Sequence, residues 1–189
     1  MPDTAGHWKP ASEPPETLGF GHVTLRRWRE GDAALMHTLI TANLDHLRPW
    51  MPWVSHEPLQ VTDRARLLAD WETAWNSRSD FTYAVILEGE PAGSAGLHTR
   101  QGAGVLEIGY WVAASLNGRG VATVAARLLA EAALALDGVS AVEIHHDAGN
   151  AASGRVAEKA GFVQASTYAR EPQAPGDTGV AVRWVRTRD

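Results

Sequence analysis

Val105-Leu-Glu-Ile-Gly-Tyr-Trp-Val-Ala-Ala-Ser-Leu-Asn-Gly-Arg-Gly-Val-Ala122 runs from an apolar strand through a glycine-containing turn into an Ala/Leu-rich helix. A turn of this kind aims backbone N–H groups and the positive end of a helix at one point in space. That suits an anion, and a pyrophosphate above all. A second signal follows at Asn150, Ser153 and Gly161-Phe162. Together the two point to an enzyme that uses a phosphate-bearing acyl carrier.

Working outward, the chain of 189 residues suits one α+β domain with a full-sized core, and its 44% hydrophobic and 21% charged residues are an ordinary globular balance. A net charge of −5 argues against a nucleic-acid-binding surface. The absence of cysteine excludes disulfides, thiolate metal sites and a Cys nucleophile, and fits a cytoplasmic location. No apolar run approaches the ~18–20 residues of a membrane span, and the N-terminus has no apolar signal core.

Residues 1–19 carry Pro2, Pro10, Pro14 and Pro15 among few aliphatics and read as a flexible N-terminal arm, leaving 20–189 as a single domain. Seven strands are predicted: 22–27, 81–87, 92–97, 105–112, 139–146, 162–168 and 180–185. Glu88-Gly89-Glu90 marks a hairpin turn. Helices are expected from Asp32 to about Leu44, from Thr62 or Asp63 through Trp75, over 122–136 and over about 151–160. Pro49-Trp-Met-Pro-Trp53 cannot be regular helix, because its prolines break the hydrogen-bond ladder. The order of elements implies a mixed sheet with a βαβ-like centre.

Three phosphate-loop patterns compete for the central turn. A Walker loop needs Gly-Lys-Ser/Thr, which does not occur. A dinucleotide fingerprint beginning at Gly118 needs glycine where Thr123 stands. The third is an Arg/Gln-x-x-Gly-x-Gly/Ala turn, here Asn117-Gly118-Arg119-Gly120-Val121-Ala122 with Asn at its first position. A helix start without a ligand is the plain alternative.

With this turn, Glu107-Ile-Gly-Tyr-Trp-Val112 before it, Asn150-x-x-Ser153 and Gly161-Phe162 after it, and the Trp-rich segment 49–53, the chain resembles the GNAT acetyltransferases. Among them it is most similar to the RimJ/RimL-like N-terminal acetyltransferases, and the resemblance spans roughly residues 20–186. It implies a GNAT fold: a mostly antiparallel twisted sheet of about seven strands, splayed between the fourth and fifth and flanked by about four helices. It also implies acetyl-CoA as cosubstrate, no metal, and carrier contacts from Asn117 to Thr123. Asn117 in place of the usual Arg or Gln removes one side-chain contact.

Acetyl transfer to an amine requires the amine to lose a proton, the carbonyl to be held beside it, an N–H donor for the developing oxyanion, and a proton for the departing thiolate. The resemblance nominates Glu107 as base, directly or through water, and as part of the acceptor site; the alternative is a solvent-facing strand carboxylate. His98 is a second candidate base, against an incidental loop-end histidine. The strand-end backbone near Trp111 and Val112 is the candidate oxyanion site. Many GNATs carry a Tyr seven residues after the Asn; here that position is Ala157. Ser153 is therefore the expected contact or proton donor to sulfur, and Asn150 the partner of the pantetheine amides, each with helix capping as the alternative.

Neighbouring strand residues point to opposite faces, so His145 and His146 make a poor metal pair. Trp50 and Trp53 are candidates for the acceptor wall, whereas Trp71 and Trp75, four apart, fit helix packing. The expected activity is acetylation of a primary amine, a protein or peptide N-terminus first. Alternatives are a small-molecule amine acceptor, a non-catalytic acyl-CoA-binding module and a nucleotide-binding protein. The sequence allows a homodimer without specifying one.

Overall fold

The computed structural model describes residues 8–188. Strands β1 (Thr17–Phe20), β2 (Val23–Arg27), β3 (Asp80–Leu87), β4 (Glu90–His98), β5 (Val105–Val112), β6 (Ala141–Asp147), β7 (Val163–Ala169) and β8 (Val180–Thr187) form one sheet in the order β1-β2-β3-β4-β5-β6-β8-β7. Every pairing is antiparallel except β5–β6, the crossover made by helix α4 (Val121–Leu134). The other helices are α1 (Ala33–Thr41), α2 (Leu44–Leu47), α3 (Val61–Asn76) and α5 (Ala151–Lys159).

The sheet has eight strands rather than seven, because the end of the expected arm pairs as β1 with β2. The residues before it are also tied down. The Trp75 indole donates to Glu13 (3.2 Å), the Tyr83 hydroxyl donates to the Pro15 carbonyl (2.8 Å), and Glu16 bridges Arg27 and Arg29. These contacts lay residues 13–20 against the domain. Residues 1–7 fall outside the described part.

Period-two alternation divides the sheet into two faces. On one face Phe81, Tyr83, Val85, Leu97, Leu106 and Ile108 are buried against Ala125, Ala126 and Leu129 of α4. On the other, α1 and α3 cover only one end of the sheet, with Met36, Ile40 and Leu68 packed on Ala84 and Trp28. The rest of that face, over β4 to β6, stays open for a site. The hairpin turn falls where expected but spans two residues, Glu88 (φ 54°) and Gly89 (φ 88°), both left-handed, because Glu90 already pairs with Leu87.

The expected helix from Asp32 to Leu44 is divided at Asn43. Its amide donates to the Leu39 carbonyl (2.8 Å) and accepts from the Ala114 N–H (2.8 Å). One side chain thus ends α1 and pins it to the segment that leaves β5.

The loop between β7 and β8 lies back over the molecule as a strap. The Gly176 N–H donates to the Pro49 carbonyl (2.8 Å), and a Cβ at Gly176 would stand 2.6 Å from that oxygen. Asp147 holds the strap at its β8 end, accepting from Gly149 N–H (2.8 Å), Thr178 hydroxyl (2.8 Å) and Gly179 N–H (3.2 Å). Burial opposes the Asp147 charge, but these donors outweigh it and hold the carboxyl down at about 2. Because the folded value is depressed, this stabilisation is present above the usual carboxylate range and is lost as pH falls from about 4 towards 2. Asp147→Asn is therefore expected to raise proteolysis of the strap about tenfold at neutral pH, the scale of one buried charged hydrogen bond, and to flatten its dependence on acid. Unchanged cleavage would show that the strap is held elsewhere.

Candidate functional site

The parallel pairing of β5 with β6 covers only Val105↔Ala141, Leu106↔Val142 and Glu107↔Glu143. Beyond it the strands part, while β5 stays paired with β4 as far as Val112↔Gly93. This is the expected splay, counted one strand later because of β1. The Ala113 N–H donates to the Ala92 carbonyl (2.7 Å), and the Gly104 carbonyl accepts from Ser140 and Ala141. Alternation from these two ends turns the N–H groups of Gly109 and Trp111 to β4, that of Ile108 to Glu143 at the end of the parallel ladder, and those of Tyr110 and Val112 into the gap. Of the two expected oxyanion positions, Val112 faces the gap, whereas the Trp111 N–H belongs to the ladder.

The glycine turn lies beside the gap. A short 3₁₀ turn (Ala114–Leu116) leads to Asn117, then Gly118 (φ 77°) and Gly120 (φ 78°), the latter capping α4 in the left-handed region without a side-chain cap. The first-turn N–H groups of Val121, Ala122 and Thr123 have no partner within the helix. A Cβ on Gly118 or Gly120 would meet nothing within 4 Å, so a ligand can approach the backbone directly. Val121 itself is buried in the core, and the Arg119 side chain lines a shallow hollow beside Phe20 and Glu88. These residues fit a pyrophosphate through backbone donors.

A cavity of about 910 Å³ passes through the gap and joins the two faces. On the α5 side it is lined by Ile144, His146, Asn150, Ser153 and Tyr110. Asn150 caps α5, its side chain accepting from the Ser153 N–H (3.2 Å), so the capping role is realised. The Ser153 hydroxyl stands 2.9 Å from the Tyr110 hydroxyl, which also reaches the Ser153 carbonyl (3.2 Å). Burial pushes the Tyr110 phenol up to about 12, against a smaller opposing pull from Ser153, so it stays protonated at neutral pH. Tyr110 was missed by the sequence reading although it sits within the opening motif. Alternation puts it on the face opposite Glu107, towards α5.

On the other face a row of acid–base side chains crosses four strands in direct register: Asp80, His98, Glu107 and Glu143. Glu107 is buried and held by Arg100 (Nε to Oε2 2.9 Å, with a second contact from Nη2) and by Gln101. Burial would raise its pKa, but the Arg100 hydrogen bonds and charge, with Gln101, bring it below the ordinary value. Such a carboxylate is a fixed negative charge more than a proton acceptor. Glu143 accepts from Arg183 (2.8 Å) and stands 2.7 Å from His145, whose other nitrogen is 2.9 Å from the Tyr168 hydroxyl.

His146 points to the opposite face. Its Nδ1 donates to the Asp147 carbonyl (2.8 Å) and its Nε2 accepts from the Trp184 indole (2.9 Å). The adjacent histidines thus part as alternation requires. Among the described residues no group of three or more His, Cys, Asp or Glu is arranged to hold a metal.

Both expected tryptophans reach the cavity. Trp50 leaves α2 beneath Gly176 of the strap, and Trp53, in a 3₁₀ segment (Pro52–His56), lies 6.3 Å from the Trp111 ring. Trp71 lines the same wall, whereas Trp75 is core, edge-on to Phe81 and Tyr83. A buried Glu57–Arg64 ion pair closes the far side.

Comparisons with known proteins agree with this geometry. The family described as "Acetyltransferase (GNAT) domain" matches residues 22–163. A Bacillus subtilis (strain 168) protein, YdaF, whose name carries a provisional ribosomal N-acetyltransferase assignment, is 28% identical over 144 residues, covering 76% of this chain and 79% of that one. Among solved structures, the chain is similar to RimL, a ribosomal L7/L12 α-N-protein acetyltransferase in complex with coenzyme A (TM-score 0.83, 18% identity, 92% and 99% of the two chains). It is also similar to Mycobacterium smegmatis RimJ in complex with CoA-disulfide (TM-score 0.80, 24% identity, 93% and 90%). No helix among the described residues is long and apolar enough to cross a membrane. On the family match across most of its length, the chain belongs to the GNAT acetyltransferases and is an acyltransferase that takes acetyl-CoA as its acyl donor.

Proposed function

We propose that this acetyltransferase acts on the N-terminal amine of a protein or peptide, of the ribosomal-protein kind named for its relatives. The observation that carries this is the breadth of the cavity on the acceptor face. It runs from Trp50, Trp53 and Trp71 to the acid–base row, with room for residues behind the reacting amine. Each arginine along it is already paired, Arg64 with Glu57, Arg100 with Glu107 and Arg170 with Asp177, which leaves Asp80 and Asp147 as negative charges without an arginine partner. A cationic amine is therefore favoured over an anion. The similarity to YdaF supports the same acceptor class.

In this reading the turn Asn117–Thr123 holds the carrier's pyrophosphate on backbone N–H groups, and Asn150 meets the pantetheine amides with the groups left over from capping. Val112 and Tyr110 offer N–H donors in the gap for the oxyanion. Glu107, paired with Arg100, lines the acceptor site, Asp80 supplies negative charge that draws the acceptor's ammonium, and Trp50 and Trp53 form the wall beside the first side chain of the acceptor. The Ser153 hydroxyl, 2.9 Å from the Tyr110 hydroxyl, supplies the proton for the departing sulfur, and Tyr110 positions it.

The test is CoA release from acetyl-CoA with short peptides beginning Ser, Ala, Met, Asp or Glu, set against amino acids, polyamines and aminoglycosides. Release with peptides only is expected; release with small amines only would move the acceptor to that class. Ser153→Ala is expected to cut kcat at least tenfold while acetyl-CoA affinity changes little, a proton-transfer loss at the low end of the usual range. Tyr110→Phe should give a smaller loss of kcat that does not add to that of Ser153→Ala, because both act on one proton. Unchanged turnover in Ser153→Ala, or full additivity in the double variant, would contradict this role.

A further inference from the structure

We infer that His98, oriented by Asp80, is the general base that frees the acceptor amine, and that Glu107 is not. The inference rests on the acetyl-transfer reading above and adds an assignment to it. His98 is the last residue of β4 and stands directly between Asp80 on β3 and Glu107 on β5. Its Nδ1 lies 2.8 and 3.0 Å from the two Asp80 carboxylate oxygens. A carboxylate only accepts, so Nδ1 carries the hydrogen, and in the neutral imidazole Nε2 carries the lone pair.

That lone pair is aimed by two glycines. The ring leans from its own row over the next one, where Gly96 pairs with Gly109. A Cβ on Gly96 would stand 3.1 Å from the ring's Cε1, and one on Gly109 would stand 3.0 Å from Nε2. Only a glycine floor leaves the ring room to lie there. Gly109 immediately precedes Tyr110, whose N–H faces the gap, so Nε2 sits beside the place where an amine would meet a carbonyl held between β5 and β6. Glu107 is nearby but its oxygens are taken by Arg100 and Gln101.

The transfer then balances as follows. His98 Nε2 takes one proton from the acceptor ammonium, and Asp80 steadies the imidazolium. The freed nitrogen lone pair forms the N–C bond to the acetyl carbon, and the C–S bond breaks with its electrons on sulfur. The second nitrogen proton leaves as the amide forms. Sulfur takes one proton by way of Ser153, and His98 returns the other to water. The charged and titratable groups facing the ring are Asp80 on β3, Glu107 on β5 with Arg100 from the β4–β5 turn, and Glu143 with His145 and Arg183 on β6 and β8. The Glu57–Arg64 pair lies across the cavity, and Arg170 and Asp177 face it from the strap.

The experiment compares kcat/KM of wild type and His98→Gln with one peptide acceptor from pH 6.5 to 9.5, a range chosen to bracket an α-amine of about 7.7–8.0. The deficit of His98→Gln should be about 10²-fold at pH 7 and should shrink to within a few fold at the alkaline end, where the amine is already free. Asp80→Asn should show a smaller deficit of the same pH shape. Gly109→Ala, which displaces the ring without touching its chemistry, should behave like His98→Gln. Acetyl-CoA should raise Tm equally in all four proteins, which checks the fold and carrier site independently of activity. A His98→Gln protein within threefold of wild type at pH 7 overturns the inference, and so does a deficit that is the same at every pH. A wild-type chain that releases no CoA with any amine overturns the acceptor reading instead.

Discussion

Everything distinctive in this molecule depends on where β5 and β6 stop pairing. For three residues they form an ordinary parallel ladder, ending at Glu107 opposite Glu143. Beyond that point the N–H groups of Tyr110 and Val112 have no strand opposite them. Unpaired backbone donors inside a sheet are costly unless something meets them, so a gap of this kind calls for a ligand with polar groups along its length. The rigid β4–β5 ladder on one side and the α4 crossover on the other keep the strands apart. The gap is therefore built into the topology and does not wait for a ligand to open it.

The two faces of the sheet then divide the chemistry. Side chains of even number on β5 face α4 and α5, where Tyr110 meets Ser153; those of odd number face the open side, where Glu107, Gly109 and Trp111 meet the acid–base row and the tryptophans. A carrier arriving from the glycine turn and an acceptor arriving from the tryptophan wall meet only in the gap. Asn43 and Asp147 each tie a distant segment to its edges, α1 through Ala114 and the strap through Gly179.

Much of this was legible in the sequence. The strand–turn–helix of 105–122, the positive-φ glycines and the cap at Asn150 follow from local rules, and local rules also set the opposite aim of His145 and His146. The fold class came from the order of the elements. What the sequence could not show was register. Nothing in residues 80, 98 and 107 taken singly says that they stand side by side, and only pairing turns a loop-end histidine into one braced by Asp80. Arg100 and Gln101 stand in the turn between β4 and β5, yet they occupy the carboxylate that the resemblance nominated as base. The prolines of the N-terminal segment mark extended chain, but whether such chain lies on the domain depends on partners as distant as Trp75 and Tyr83.

A crystal structure with CoA bound would test the central claim most directly. The account predicts the pyrophosphate on the N–H groups of residues 118–123 and the pantetheine between β5 and β6. The sulfur should lie within hydrogen-bond reach of the Ser153 hydroxyl, on the α5 side of the gap. A sulfur placed on the tryptophan side, or a carrier that leaves the N–H groups of Tyr110 and Val112 without partners, would contradict it.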